Sequence, residues 1–251
     1  IKHLTFYDDN HLFYITSAGI SLLNISTSES RLLYSNTTED FFQVPSLYYD
    51  DQLKRLWIGT GSAGLFYYDI IRKSLSDIPI RNFPKQPILA IRKDAKNTLL
   101  IGIDGQGIWN ISEKGDTILH IYKEDLNNPF SLRGDGVYDI LCDGSKNWIA
   151  TFTGKLSFFE NNNSQITPVT YQINNPNSLG NNYVNQIIED HEGHIWFATN
   201  NGVSRWDAAS NKWKHYYQNK SEQAKVFLSL CEDNQGHIWA GSYSSGIYLL
   251  D

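Results

Sequence analysis

The chain has no methionine, only two cysteines and seven prolines in 251 residues, and no long apolar run. Each scarcity narrows what it is. No stretch approaches the ~20 apolar residues that a membrane-crossing helix needs, so no direct insertion into a bilayer is expected. No charged-then-apolar leader stands at Ile1, and Met is missing even at position 1, which points to a mature or excised segment of something longer. Two cysteines cannot make the disulfide framework of a small secreted domain. The net charge of −6 carries no block of like sign, and a basic face is what a nucleic-acid partner would require. There is no Gly-x-Ser-x-Gly elbow and no phosphate-cradling loop, so nucleophilic and nucleotide chemistry lack support. What remains is a chain that is 41% apolar and 14% aromatic, ample for a packed interior.

That aromatic content is ordered. Six times a strand-like run closes on an aromatic or leucine, then a small residue, then a glycine turn. The clearest copy is IIEDHEGHIWFATNNGVSRWD (Ile187 to Asp207), followed by LSLCEDNQGHIWAGSYSSGIYLLD (Leu228 to Asp251). Aligned on Phe13, Trp57, Leu100, Trp148, Trp196 and Trp239, the copies are spaced by 44, 43, 48, 48 and 43 residues. A period in the forties with strand content marks radial blades, none of which buries its apolar face alone. The expected fold class is therefore all-β: a single β-propeller segment of four-stranded antiparallel blades. The repeats cover about 1–43, 44–86, 87–134, 135–181, 182–224 and 225–251, the last incomplete, as part of a seven-bladed ring or a six-bladed one with an unfinished blade.

The fifth repeat shows how one blade is written. Tyr183 to Asp190 alternates as a first strand, and Gly193 turns the chain. Ile195 to Thr199 is a buried second strand, Val203 to Asp207 a third, and Lys212 to Gln218 an outer fourth with a polar edge. The small residue after the ring recurs as Gly59, Gly102, Ala150, Ala198 and Gly241, which suggests close approach of the neighbouring blade. Two connections, Asn127-Asn128-Pro129-Phe130-Ser131-Leu132 and Asn174-Asn175-Pro176-Asn177-Ser178-Leu179, lead into new blades, with Ser-Leu anchoring the chain. Cys142 and Cys231 end the first strands of blades too far apart to bridge, and both are expected to be small buried hydrophobes.

Candidate chemistry mostly dissolves into the repeat. Asp50, Asp94, Asp143, Glu189-Asp190 and Glu232-Asp233 recur at one point of successive blades, where carboxylates cap turn amides; a catalytic pair would be unique. His191, Glu192 and His194 lie in a hairpin turn without the spacing of a zinc helix, and His194 has a counterpart in His237. Neither a metal nor any other cofactor is expected, and no catalytic residue. Trp57, Trp148, Trp196 and Trp239 read as filler between blades, not as a sugar platform.

The order Glu-Asp, Gly turn, Ile-Trp, small residue, Thr or Ser, Gly turn and closing Asp resembles the two-component regulator propeller repeat, and Asn-Asn-Pro-x-Ser-Leu resembles that family's linker. The resemblance implies a periplasmic sensor region of a hybrid two-component receptor in gut Bacteroidetes, detecting glycan breakdown products, with the kinase and DNA-binding parts outside this chain. It also implies a homodimer formed through the parent receptor.

Residues that break the repeat then become the ligand candidates. Loops leading into first strands hold Phe42, Phe83, Phe130, Arg133, Asp135, Asn181, Asn182 and Tyr183. Turns joining second to third strands hold Asp104, Gln106, Asn200, Asn201, Tyr243 and Ser244. Aromatic faces beside amides, carboxylates and one guanidinium suit an oligosaccharide, and Arg133 an acidic sugar. The rival reading is a scaffold for dimerisation and signal transmission that binds no ligand of its own.

Overall fold

The computed structural model describes residues 3–35, 45–218 and 225–250. Among them every regular element is a strand, 23 in all, in six antiparallel sheets of the β-propeller class. Packing divides the chain into two units, residues 1–93 with 97–121, and 94–96 with 122–251.

In the first unit, blade one holds β1 (His3–Asp8), β2 (His11–Thr16), β3 (Gly19–Asn24) and β4 (Ser30–Ser35). Blade two holds β5 (Ser46–Asp50), β6 (Arg55–Gly59), β7 (Leu65–Asp69) and β8 (Ser74–Asp77). Blade three holds β9 (Ile88–Lys93), β10 (Leu99–Ile103), β11 (Gly107–Ile111) and β12 (Ile118–Tyr122). In the second unit, blade four holds β13 (Val137–Cys142), β14 (Lys146–Thr151), β15 (Lys155–Glu160) and β16 (Thr167–Val169). Blade five holds β17 (Val184–Glu189), β18 (His194–Thr199), β19 (Gly202–Asp207) and β20 (Lys212–Tyr216). Blade six has three strands, β21 (Phe227–Glu232), β22 (Ile238–Ser242) and β23 (Ile247–Leu250). The strands expected for the fifth repeat match β17 to β20 to within two residues at each end.

The core lies between blades. Trp57 and Leu65 of blade two pack with Ile88, Ile91 and Ile101 of blade three. Trp148 and Leu156 of blade four pack with Val184, Ile187 and Phe197 of blade five. Trp196 and Val203 of blade five pack with Phe227, Leu230 and Ala240 of blade six. A second strand therefore reads as a continuous apolar run because each of its faces meets a different sheet.

Polar hooks fasten these seams. Ser46 Oγ donates to the Ile88 carbonyl at 2.6 Å. Asp139 Oδ2 accepts the Ile187 N–H at 2.9 Å, and Gln186 Oε1 accepts that of Leu230 at 2.5 Å. All three hooks occupy one step of the repeat, opposite the small residue of the second strand: Ser46 faces Gly59, Asp139 faces Ala150 and Gln186 faces Ala198. This revises the reason for the small residue. A Cβ on Gly59 would lie within 2.8 Å of Ile88 in the next blade, as expected, but only 2.2 Å from Ser46 Oγ. At Gly241 the obstacle is Ser229 of its own blade, 2.4 Å away. The small residue clears room for its cross-strand partner as much as for the neighbouring blade. Gly59→Ala should displace Ser46, break its bond to Ile88 and lower stability by about 2 kcal/mol, read as a drop in the thermal midpoint. Unchanged melting would refute the hook.

Two expectations fail. Cys231 is exposed and Cys142 is half-buried; both are free thiols. They sit at the outward-facing ends of β13 and β21, where alternation turns them away from the seam clusters. Trp239 is 41% exposed, whereas Trp57, Trp148 and Trp196 are at most 3% exposed. In blades two, four and five that face is covered by the next blade of the same unit. Ile247 beside it is 73% exposed, against at most 2% for its counterparts Leu65, Leu156 and Val203.

Candidate functional site

The recurring carboxylates are turn caps. Asp190 Oδ1 accepts the N–H groups of Glu192 and His194 at 3.0 and 2.8 Å, and its Oδ2 accepts the Trp196 indole N–H at 2.7 Å. Asp233 repeats the pattern with Gln235, His237 and Trp239, and Asp143 with Ser145, Lys146 and Trp148. Burial opposes ionisation of Asp190 and Asp143. The indole and amide donors outweigh it, holding both carboxyls below the ordinary aspartate value. For Asp233 the Trp239 indole leads the same lowering. Each cap thus orients the ring that fills, or in Trp239 borders, a seam.

Asp190, Glu192 and His194 bring ligand atoms within 4.8 Å of one another. Both Asp190 oxygens already accept N–H groups, and the Asp233–His237 contact at 3.1 Å reproduces the geometry without a second carboxylate. The cluster is the turn of the repeat.

At the other ends of the strands, the candidates separate into those that build loops and those left open. Asp135 Oδ1 accepts the Glu124 N–H at 2.7 Å, and Asn182 Oδ1 accepts the Tyr171 N–H at 2.7 Å, in equivalent linkers. Ser131 and Ser178 likewise accept from Asp125 and Gln172, while Leu132 and Leu179 are buried, which anchors both linkers as their sequence suggests. Phe130 is exposed on the first linker. In the first unit, Phe83 packs edge-on against Trp109 with centroids 5.2 Å apart. Asp104 and Gln106 form the β10–β11 turn through N–H bonds to Pro87 and Ile103. Phe42 lies outside the described residues.

Arg133, Asn181, Tyr183 and Asn200 are brought together on one rim of the second unit. Thr153 Oγ1 donates to the Arg133 carbonyl at 3.0 Å. The Tyr183 ring lies over Gly154, where a Cβ would come within 2.7 Å of it. Asn181 Oδ1 accepts the Tyr183 N–H at 2.9 Å, and the Tyr183 carbonyl accepts that of Asn200 at 3.0 Å. Asn185 Nδ2 then bridges Asn200 Oδ1 and the Phe227 carbonyl, at 2.9 and 2.8 Å, and carries the rim toward blade six and Tyr243. The Arg133 guanidinium donates through Nη2 to Pro129 at 2.5 Å, while its buried Nε has no partner among the described residues. The chemistry on offer is a fixed cation, two amides and an exposed phenol ring, with no acid–base pair. A hollow of about 390 Å³ in this unit lies at the opposite strand ends, between the turns at Gly144–Lys146 and Glu160–Asn162, and includes none of these groups.

Two rim residues escaped the sequence reading. Tyr138 and Phe152 pair with centroids 5.3 Å apart, and Phe152 is 63% exposed. Tyr138 is the extra residue of a β-bulge, since Val137 faces Thr151 and Asp139 faces Ala150. The same bulge falls at Leu89, Asn185 and Leu228. A signal existed: buried apolar residues three apart, not two, in Ile88/Ile91, Val137/Ile140, Val184/Ile187 and Phe227/Leu230.

No curated protein matches the chain. Among solved structures it is similar over its whole length to the extracellular domain of BT4673 from B. thetaiotaomicron, described as a one component system, at 19% identity and a TM-score of 0.50, covering 40% of that chain. Over 99% of its length it is similar to the extracellular domain of BT3049 from the same organism, described as a hybrid two component system, at 22% identity and a TM-score of 0.49, covering 31% of that chain. A computationally designed protein, Ika8, is similar over the whole chain and 70% of its own, at 12% identity and a TM-score of 0.68. The chain thus spans less than half the length of the two bacterial proteins, and at these identities the likeness is one of fold. In sequence, residues 178–201 and 221–244 match the family model of the two component regulator propeller. Those matches overlap the two clearest copies of the repeat, so what is similar to the two component regulator propeller lies in the fifth and sixth blades.

Proposed function

We propose that this chain is the extracytoplasmic, periplasmic sensor module of a hybrid two-component receptor, which recognises an oligosaccharide without transforming it and relays the event to a kinase outside the chain. The family match and the fold shared with the extracellular domain of BT4673 support a sensor module. No helix among the described residues is long and apolar enough to cross a membrane. The observation that carries the ligand reading is the rim of the second unit. There Thr153 holds the Arg133 backbone, the Arg133 guanidinium donates to the Pro129 carbonyl, and Asn181 places the 51% exposed Tyr183 ring. A guanidinium and an exposed aromatic ring on one rim suit a sugar ring bearing a carboxylate. The repeated carboxylates are engaged as turn caps, which supports recognition without turnover.

Isothermal titration against neutral and uronic-acid oligosaccharides tests this. Saturable heat is expected from an acidic sugar, weakened by about tenfold or more in Arg133→Ala and in Tyr183→Ala. No heat from any sugar, with the fold intact, would leave the propeller as a scaffold only. Release of reducing ends from a polysaccharide would overturn the non-enzymatic reading.

A further inference from the structure

Each blade of the second unit carries the same local device where its first strand begins. A bulge turns one extra residue out of the ladder: Tyr138 in blade four, Asn185 in blade five and Leu228 in blade six. Beside it stands the residue that follows the second strand, namely Phe152, Asn200 or Tyr243. The N–H of that residue donates to the carbonyl two residues before the bulge: Phe152 to Gly136 at 2.7 Å, Asn200 to Tyr183 at 3.0 Å and Tyr243 to Val226 at 2.9 Å. The backbone is thus fixed alike in all three blades, and it asks nothing of the two side chains. Those differ. Blade four has the aromatic pair Tyr138–Phe152, blade five the amide pair Asn185–Asn200, and blade six a leucine with a tyrosine. None of the six is an acid or a base with a charge at neutral pH. Phe152, Leu228 and Tyr243 are 63, 46 and 75% exposed. Apolar groups scattered singly on a surface need no reason, but these recur at one step of the repeat.

We propose that this step is the reading position of the rim, and that across blades four to six it takes an uncharged stretch of a linear oligosaccharide. The proposal rests on the oligosaccharide reading above and adds where the sugar chain runs and what it must offer. Its ring faces rest on Tyr138–Phe152 at one end and on Tyr243 with Leu228 at the other. Between these ends the Asn185 amide has both hydrogens committed, to Asn200 Oδ1 at 2.9 Å and to the Phe227 carbonyl at 2.8 Å. That leaves Asn185 Oδ1 to accept and Asn200 Nδ2 to donate. A hydroxyl does both and satisfies the pair, whereas a carboxylate only accepts and an ammonium only donates. The track is continuous. The Tyr183 ring lies over Gly154, two residues after Phe152, and its carbonyl holds Asn200, while Asn185 bonds into blade six. The occupant is therefore hydroxylated, uncharged along this step and long enough to reach both apolar ends.

Titration calorimetry with xylo-oligosaccharides and with oligogalacturonides, each graded from disaccharide to octasaccharide, reads the track through chain length. Affinity is expected to climb with length and to level off once both apolar ends are covered. Phe152→Ala and Tyr243→Ala should each weaken the longest sugars by about tenfold. The shortest should be nearly unchanged, since a short chain keeps the opposite end. Asn200→Asp retains the oxygen that Asn185 needs and removes only the donor. It should weaken binding by a similar factor that persists at high salt, where the added charge is screened, with the thermal midpoint unmoved. Ile173→Ala, 77% exposed but on a linker, should leave binding as it was. Affinity that ignores length, or that survives both aromatic variants, overturns the track and leaves the oligosaccharide reading standing. No heat from any sugar overturns both.

Discussion

Replacing Trp148 by alanine is expected to remove about 4–5 kcal/mol of stability, while the same change at Trp239 removes on the order of 1 kcal/mol, although the two occupy one step of the repeat. Trp148 is wholly enclosed. Its ring meets Phe158 at 5.2 Å, Phe197 of blade five at 5.5 Å and Trp206 of that blade at 5.2 Å. Its indole N–H donates to Asp143 at 2.8 Å, and the Lys146 ammonium lies 4.6 Å from the Trp206 centroid, above the same aromatic group. Alanine would open a cavity across the seam between blades four and five and strip a donor from the half-buried Asp143 carboxylate. Trp239 keeps the equivalent bond to Asp233 but borders solvent. Urea unfolding of both variants checks the contrast; equal losses would mean that the seams are not where the stability lies. Typical domains hold about 5–15 kcal/mol in all, so the first variant approaches the threshold of unfolding.

Asp190→Ala is the second large effect, a loss of about 3 kcal/mol. It orphans the amides of Glu192 and His194 and the indole of Trp196 together. Asp190→Asn, which keeps an oxygen for the turn, should fall between alanine and the parent. The caps also set the response to acid. The folded-state values of Asp143, Asp190 and Asp233 lie below their ordinary value, so the unfolded chain takes up protons first. Their contribution is complete above about pH 4 and disappears as pH falls through the folded values. The thermal midpoint should therefore drop steeply below about pH 4 in the parent and more gently in Asp190→Ala. Parallel curves would show that the cap contributes nothing to acid stability.

The blades were readable because their period, turn glycines and buried second strands are local properties of the sequence. The caps were readable for the same reason: a carboxylate recurring at a fixed distance before Ile-Trp must serve something that itself recurs. What the sequence concealed depends on neighbours. Trp196 and Trp239 sit in nearly identical surroundings along the chain, and only the presence of blade six over the first separates their exposure. Cys231 was assigned to the interior from its residue type, whereas its place in the pleat turns it outward. The rim was half legible. Arg133 and Tyr183 stood out by breaking the repeat, but Asp135 and Asn182, which break it equally, turn out to hold the linkers. Tyr138 was hidden by a bulge, which shifts alternation by one residue and so mimics a surface position.

The seam between two blades also carries a charge that depends on which blades they are. In blade three the residue before the turn aspartate is Lys93, buried against Asp50 at 3.1 Å and Gln52 at 2.9 Å of blade two. In blade six the same step holds Glu232, paired with the His191 side chain and accepting its N–H from blade five. Modules of one shape invite assembly in the wrong order, within a chain or between chains, because each apolar face fits several partners. Here a blade bearing Glu232 set beside Asp50 would bring two carboxylates together, and one bearing Lys93 set beside His191 would trade an acceptor for another donor. The blades share a scaffold but are not interchangeable parts: these two junctions are individually addressed, and the order of assembly is encoded where the apolar surfaces alone would leave it ambiguous.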